Sequence, residues 1–380
     1  MESASARILT GHTQACEVGL AVRELHAQIS QPDAALVVVF CSTAYPRPVL
    51  AEALQHHFGD VPMIGCTTAG ELGASGYQTG GITGFSLPAA EFTVATARLD
   101  GLDDVSLDAG QHCVDALLAQ MPAVTDGQER FALLLVDGLA QREEPVAYAL
   151  QRALGRTPLV GGSAGDGLHF GRSWVYHDGA FHTRSAVLAL VSTRRRSRVF
   201  KTQHFTHDKE RLVVTEADPK RRRVFELNGL PAAQEYARLI GVPVAELAPE
   251  TFAAAPVVVV IDGTDYVRSI REAHADGSLT FFCAIELGLV LRVAQARDMV
   301  AHLDSSMDSI RAGIGEPDLV ISFDCVLRRL EARRKHCEAA LGERFRRYRM
   351  VGFSTYGEQY AGVHVNHTLT GVAIGRSGDE

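Results

Sequence analysis

The feature that most constrains this 380-residue chain is an internal repeat. The stretch IGCTTAGELGASGYQTGGITGF, residues 64–85, aligns without a gap with VGFSTYGEQYAGVHVNHTLTGV, residues 351–372. A shorter third copy, LVGGSAGDG, occupies residues 159–167. Repetition of this kind predicts a fold in which one supersecondary unit is used several times.

The same order of patterns precedes each copy. Apolar runs rich in β-branched residues predict strands that are buried on both faces, and each is followed by a helical pattern. The strand patterns cover residues 35–42, 131–138 and 318–325, and the helical patterns cover residues 47–58, 144–154 and 326–345. We therefore predict an α/β fold of mixed sheets with flanking helices, with two related halves built from repeated strand-helix-strand-Gly bend-strand units.

The region between the first and the last copy contains a stretch that does not follow the repeated pattern, which indicates two domains. A polar, charged stretch at about residues 205–220 supplies the boundary. In the second domain we expect a turn at Asp218-Pro219 between two strands, a helix after Pro231 and an amphipathic helix over residues 296–310. The predicted organisation is a lead-in over 1–30, a first domain over 30–212 and a second domain over 213–376.

Composition narrows the functional class. A net charge of -8 argues against general binding to nucleic acid or to an anionic membrane surface. No apolar run reaches the roughly 18 residues of a membrane span, and the first residues lack the apolar core of a signal peptide, so a cytoplasmic protein is expected. The seven cysteines include no C-x-x-C pair, which favours reduced, mostly buried thiols.

No known catalytic signature occurs in the sequence. It contains no G-x-S-x-G elbow, no phosphate-binding G-x-x-x-x-G-K-[ST] loop and no H-E-x-x-H zinc helix. Ser163 is a conceivable nucleophile, but no histidine or carboxylate partner can be assigned to it from the sequence. We therefore expect a binding protein and no enzymatic activity.

The glycine bends are the best candidates for a ligand pocket, because glycine lets a ligand approach the backbone closely. The acid that ends each bend either contacts the ligand or simply caps the turn. The predicted pocket residues are Gly352, Ser354, Tyr356, Gly357, Glu358, Asn366, Gly70, Glu71, Gly165 and Asp166.

Histidines lie beside two of the bends. Strand alternation over residues 363–370 predicts that His364, Asn366 and two threonines share one face, a polar row that requires partners when it is buried. His367 then falls on the apolar face, either as a core histidine or as an axial ligand of haem iron. His169, after the middle bend, either lines the same cleft or faces solvent.

Arginines cluster in three places. They lie at 194–196, at 221–223 and along the helical pattern that begins at 326. We expect these clusters to form solvated faces, with docking of an acidic partner as the alternative.

Four motifs together resemble the FIST family. They are GCTTAGEL, LVGGSAGDG, RRVFELNGLPAAQEYARLIG and GFSTYGEQYAGVHVNHTLTGVAIG, in the order found in that family. Such proteins pair a FIST N-terminal with a FIST C-terminal sensory domain. The resemblance extends from about residue 30 to residue 376, which is nearly the whole chain.

The resemblance implies a bacterial ligand sensor of signal transduction. A stand-alone FIST protein is similar to the nitric-oxide-sensing haem proteins of the family, which act on a separate histidine kinase or cyclic-di-GMP enzyme in two-component signalling. The resemblance implies that haem b is held non-covalently by His364, which is ranked first, or by His367. It leaves open whether the protein forms a homodimer. One alternative is a sensor of a small polar metabolite such as an amino acid, and a second is a hydrolase or transferase that uses Ser163.

Overall fold

The computed structural model describes residues 7–207, 210–261 and 264–377. The α-helices within these residues are α1 (Val18–Ile29), α2 (Arg47–Phe58), α3 (Leu107–Leu118), α4 (Glu143–Leu154), α5 (Ala232–Ile240), α6 (Pro249–Ala254), α7 (Met299–Ile314), α8 (Val326–Arg334) and α9 (Glu338–Arg347). The first fourteen strands are β1 (Leu9–Thr13), β2 (Ala34–Cys41), β3 (Met63–Thr67), β4 (Glu71–Gly73), β5 (Gly76–Gln78), β6 (Ile82–Pro88), β7 (Phe92–Asp100), β8 (Glu129–Asp137), β9 (Leu159–Ala164), β10 (Val175–His177), β11 (Ala180–His182), β12 (Ser185–Thr193), β13 (Ser197–Thr202) and β14 (Phe205–His207). The remaining strands are β15 (Leu212–Asp218), β16 (Arg223–Leu227), β17 (Leu230–Pro231), β18 (Val257–Ile261), β19 (Thr264–Arg268), β20 (Ile270–Ala273), β21 (Leu279–Phe281), β22 (Val290–Ala296), β23 (Pro317–Cys325), β24 (Met350–Thr355), β25 (Glu358–Tyr360), β26 (Val363–Val365) and β27 (Leu369–Gly375).

Three units of the same topology make up most of the described chain. Each unit is an edge strand, a helix, a central strand, a second helical region, a parallel strand, a hairpin and a returning antiparallel strand. The corresponding sheets run β1-β6-β2-β3, β7-β12-β8-β9 and β13-β27-β23-β24. The predicted mixed α/β fold with flanking helices and repeated units is therefore confirmed.

The hairpins are exchanged in a cycle between the units. Hairpin β4–β5 of the first unit pairs with β24 of the third, β10–β11 of the second pairs with β3 of the first, and β25–β26 of the third pairs with β9 of the second. Each of these three sheets therefore has six strands, two of them donated by a neighbouring unit. This exchange gives the three units an approximate threefold arrangement around one axis.

The central strands explain this arrangement, because they are apolar on both faces. On β2, Phe40 and its alternate neighbours enter a core that also contains Phe131 of β8 and Phe323 of β23. The opposite face of β2, which includes Val39, packs on helices α1 and α2. The shared core lies between the three sheets, and the helices cover their outer faces.

A separate module is inserted in the third unit, between β13 and α7. It consists of β14 to β22 with α5 and α6, and its strands form one sheet with a core of its own. The expected turn at Asp218-Pro219 and the helix after Pro231 are both part of it. The helix predicted over 296–310 follows the module as α7.

Two local predictions from the sequence were wrong. The pattern over 326–345 forms two helices rather than one, because His336 between them adopts a left-handed backbone with φ of 53°. The strand predicted over 363–370 is interrupted at residues 366–368, where His367 has φ of 56°. Strand alternation therefore does not set which side chains share a face there.

The prediction of solvated arginine clusters was also wrong at one or two positions in each cluster. Arg195, Arg222, Arg328 and Arg329 are buried, and each has polar or acidic partners in the interior that compensate its charge. Arg195, for example, pairs with Glu91 and with Asp318. The neighbouring arginines of the first two clusters lie nearer the surface.

Candidate functional site

The three glycine bends meet where the parallel strands end. Each bend follows the strand beside a central strand, so the arrangement of the units brings all three to the same end of the axis. The backbone hydrogen bonds that link them are Ser354 N to Gly70 O at 2.7 Å, Gly165 N to Thr67 O at 3.0 Å, Ser163 N to Gly357 O at 2.8 Å and Tyr356 N to Ser163 O at 3.2 Å. Most of the predicted pocket residues are thus brought together.

The acids of the first and third bends act as turn caps. Glu71 Oε1 accepts from Thr68 Oγ1 at 2.6 Å, and its other oxygen accepts from Gly81 N. Glu358 repeats the pattern, with Thr355 Oγ1 on one oxygen and Thr368 on the other. Burial raises the pKa of Glu71 to about 7 and that of Glu358 to about 8.

Asp166 caps the middle bend in another way. Its carboxylate accepts from the backbone N–H groups of Phe170, Gly171 and Arg172, and from the hydroxyl of Tyr356. All three bend acids are therefore occupied by protein groups.

The third bend is approached closely by two side chains. A β-carbon added at Gly357 would lie 2.2 Å from His364 Cε1 and 2.7 Å from Asn366 Nδ2. Gly70 is in the equivalent position of the first bend, where the guanidinium of Arg329 fills the space and φ is 136°. The glycines are needed because side chains occupy the space beside them.

The polar residues around the third bend form what we name the His364 site: Ser163, Gln359, His364 and Asn366 beside Gly357. Gln359 Nε2 donates to Ser163 Oγ at 2.9 Å and lies 3.2 Å from His364 Nδ1. All of these side chains are fully or almost fully buried. Three of their polar atoms have no hydrogen-bond partner within the described part of the chain: Gln359 Oε1, His364 Nε2 and Asn366 Oδ1.

The chemistry of the His364 site follows from these contacts. Burial lowers the pKa of His364, so its ring is neutral at pH 7. Because the Gln359 amide donates to Nδ1, the ring proton is placed on Nε2, which makes that atom a donor. The site therefore offers one buried donor, from His364, and two buried acceptors, from Gln359 and Asn366.

Charges of the inserted module and of α4 lie close to the His364 site. Arg222 of the module reaches the first turn of α4, where its guanidinium lies 2.6 Å from a carboxylate oxygen of Glu143 and 2.6 Å from one of Glu144. Glu144 also accepts from the backbone N–H of Ala284 at 2.7 Å. The charges of Glu144, Glu143 and Arg222 act on the ring of His364, so the contact between the module and α4 lies close to the His364 site.

His367 belongs to a second buried cluster. Its Nε2 lies 3.4 Å from Glu331 Oε2, and His204 Nε2 lies 2.9 Å from the same oxygen. Lys335 also reaches Glu331, at 2.6 Å. Burial lowers the pKa of His367, and it lowers the pKa of His204 to about 3, so both rings are neutral at pH 7.

The other predicted residues are placed differently. His169 is exposed in the loop after the middle bend. Ser354 is buried and its hydroxyl has no partner among the described residues. Gly352 lies within β24, where an added β-carbon would meet Ser322 O. Ser163 Oγ is hydrogen-bonded to Gln359, and in the described structure neither a histidine nor a carboxylate is hydrogen-bonded to it.

Several residues of these clusters were missed from the sequence. Gln359 directly follows the repeated Gly-Glu pair, so its place in the bend was a usable signal. Arg222 lies in a run of three arginines, and Glu331 is the one acid among the arginines of α8. Nothing local marks Arg222, whose acidic partners lie in α4, or shows that Glu331 also contacts His204 and His367, which are distant in the sequence.

Family models decide the classification. The model of the FIST N domain matches residues 35–230, and that of the FIST C domain matches residues 232–361. The chain belongs to the FIST family. FIST domains are sensor domains of signal transduction, so the FIST protein described here has a ligand-sensing role. None of the curated proteins matches its sequence.

Among solved structures, this FIST protein matches a cyanuric acid hydrolase described as an evolutionary innovation by structural concatenation. The match covers 97% of this chain and 99% of that chain, with 11% identity and a TM-score of 0.38. The expectation of no enzymatic activity is contradicted by this match to an enzyme and is withdrawn. A likeness of this size carries no argument for a particular reaction.

No helix within residues 7–207, 210–261 and 264–377 is long and apolar enough to cross a membrane. In the same residues, no group of three or more His, Cys, Asp or Glu side chains is placed to hold a metal ion. A haem iron needs fewer protein ligands, so its fit depends on the surroundings of each histidine.

Proposed function

We propose that this FIST protein senses a small polar metabolite with both donors and acceptors, such as an amino acid, and binds it in the His364 site. The observation that carries the proposal is the set of three unpartnered buried atoms on Gln359, His364 and Asn366. A buried polar atom without a partner costs about 1–3 kcal/mol, so a ligand that satisfies all three gains substantial affinity.

The arrangement of these atoms favours an amino acid. The two amide oxygens can accept from an ammonium group, and His364 Nε2 can donate to a carboxylate oxygen. Arg222, Glu143 and Glu144 supply charges of both signs near His364. Such a mixture suits a zwitterion better than a ligand of one charge.

The surroundings of the two histidines do not fit haem b. Haem requires an imidazole that faces an apolar pocket as large as a porphyrin. The ring of His364 lies among amides, and that of His367 lies against Glu331 and the edge of Phe205. Haem binding and nitric-oxide sensing stay predictions from the family resemblance, and the polar metabolite is the better supported of the two alternatives.

Ligand binding would act through the inserted module. The side chains of the site are buried, so a ligand would need a local opening to enter, and we place this opening at the contacts between Arg222 and α4. A module held in two positions presents two surfaces to a partner, which allows regulation if the partner distinguishes them. A histidine kinase or a cyclic-di-GMP enzyme as that partner, a homodimer and a cytoplasmic location stay predictions.

The test is a thermal-shift screen of amino acids and related polar metabolites. At a hundred times its Kd, a ligand stabilises the native state by about 2.7 kcal/mol, which raises Tm measurably. We expect at least one compound to raise the Tm of the wild type and to lose this effect in His364→Ala and Asn366→Ala. His169→Ala, a histidine exposed in a loop, is the matched control and should respond like the wild type.

Circular dichroism spectra establish that each variant is folded before it is compared. A screen in which no compound stabilises the wild type, or in which the His364→Ala variant responds equally, would overturn the proposal.

A further inference from the structure

A cleft opens at the opposite end of the molecule from the glycine bends. It forms where the chain passes from one unit to the next, at residues 89–91 and 194–196, and where β27 leads into residues 376–377. These junctions follow strands whose last residues pair with the first residues of the central strands, as Thr193 does with Glu129. The nine residues of β12 place the cleft roughly 25 Å from the bends.

The cleft is large and rich in arginine. Its volume is about 860 Å³, which is room for a molecule of nucleotide size. Arg194, Arg196 and Arg376 line it and are exposed. None of these three arginines forms an ion pair with another residue in the part of the chain that the structure describes.

The acids of the cleft are already occupied. Glu91 is paired with the buried Arg195, and its other oxygen accepts from Ser377 at 2.7 Å. Glu129 accepts from the backbone and side chain of Ser197. The carboxylates are therefore held by protein groups, while the three exposed guanidinium groups keep their donors for a ligand.

The backbone between the arginines is fixed. Arg195 also pairs with Asp318 at 2.7 Å, and its N–H donates to Thr193 Oγ1 at 3.1 Å. The carbonyl of Arg196 accepts from Gly375 N at 2.8 Å, which joins this junction to the end of β27. Arg194 and Arg196 are thus carried by an anchored segment, and Arg376 follows β27 directly.

We propose that this junction cleft binds a phosphorylated small molecule, with Arg194, Arg196 and Arg376 as its anion-binding residues. Guanidinium groups match phosphate oxygens geometrically and bind them through paired, charge-assisted hydrogen bonds. The cleft exceeds the size of a single phosphate, so the ligand class extends to nucleotides. This site is separate from the His364 site and stands independently of the function proposed for it.

The test is isothermal titration of the full chain with ATP and with inorganic pyrophosphate, at low and at physiological salt. We expect binding that weakens with salt and that weakens about tenfold or more in each of Arg194→Ala, Arg196→Ala and Arg376→Ala. Arg156→Ala, an exposed arginine in the turn after α4, is the matched control and should bind like the wild type.

His364→Ala should also retain the phosphate probes, because its side chain lies at the other end of the axis. The inference is overturned if neither probe binds at millimolar concentration, or if the three cleft variants bind as tightly as Arg156→Ala.

Discussion

His367 Nε2 lies 3.4 Å from Glu331 Oε2, and both side chains are completely buried. His367 stands between hairpin β25–β26 and strand β27, Glu331 is on α8, and His204 on the other side of Glu331 leads into the inserted module. One buried carboxylate thus connects the end of the His364 site to the start of the module. If a ligand binds at the His364 site as proposed, this contact would link the site to the module.

We expect Glu331→Gln to destabilise the protein by about 2 kcal/mol, because the amide leaves one of the buried partners without an acceptor. Urea unfolding measures the change. Glu338→Gln is the control, since its carboxylate is a third exposed and lies 3.7 Å or more from its arginine partners. Equal stability of the two variants would show that the Glu331 contacts contribute nothing specific.

Gly357→Ala is expected to destabilise the protein by about 2 kcal/mol or more, because the new methyl group would clash with the ring of His364. Gly313→Ala in α7 is the control: the nearest atom to its added methyl group is the end of Arg198, and alanine is the better helix former. Thermal unfolding distinguishes them. Tolerance of alanine at 357 would mean that His364 can leave its described position without cost.

Removal of Arg222 should loosen the contact between the module and α4. In Arg222→Ala, Glu143 and Glu144 lose their shared cation, so we expect faster amide hydrogen exchange in β26 and in the first turn of α4. Arg221→Ala is the neighbouring control, because its side chain is largely exposed. Unchanged exchange in Arg222→Ala would show that these ion pairs do not hold the module against α4.

The pKa of Glu358 predicts a pH dependence of stability. This carboxyl titrates near pH 8 in the folded protein and near 4.5 when unfolded, so the folded state binds the extra proton between these values. Its contribution is complete below pH 4.5 and is lost as pH rises to about 8, at up to roughly 1.4 kcal/mol per pH unit. Unfolding free energies from pH 5 to 8 should therefore decline less in Glu358→Gln than in the wild type. Parallel pH profiles would refute the raised pKa, and the exposed Glu343→Gln serves as control.

The sequence allowed prediction of the repeated unit, because its signals are local. The apolar run of β2 buries both faces, and the α2 pattern over 47–58 coincides with the observed helix. The exchange of hairpins between units could not be predicted in this way. It depends on pairing between strands such as β4 and β24, which are separated by most of the chain.

The candidate site was predictable only in part. The close approach of another group to the backbone at Gly357 was predictable from the glycines and polar residues of the bend. The burial of Arg222 and Glu331 was not predictable, because the acids that pair with Arg222 and the histidines that contact Glu331 lie far from them in the sequence. His367 was assigned to an apolar strand face, yet its left-handed backbone interrupts the strand and turns the ring toward Glu331.

The measurement that tests the polar His364 site most directly is an absorption spectrum during anaerobic titration with ferrous haem, on the wild type and on His364→Ala. The polar surroundings of both histidines predict a broad band that does not saturate and that is the same in the two proteins. A sharp Soret band that saturates at about one haem per chain and disappears in His364→Ala would contradict the polar site and establish haem binding instead.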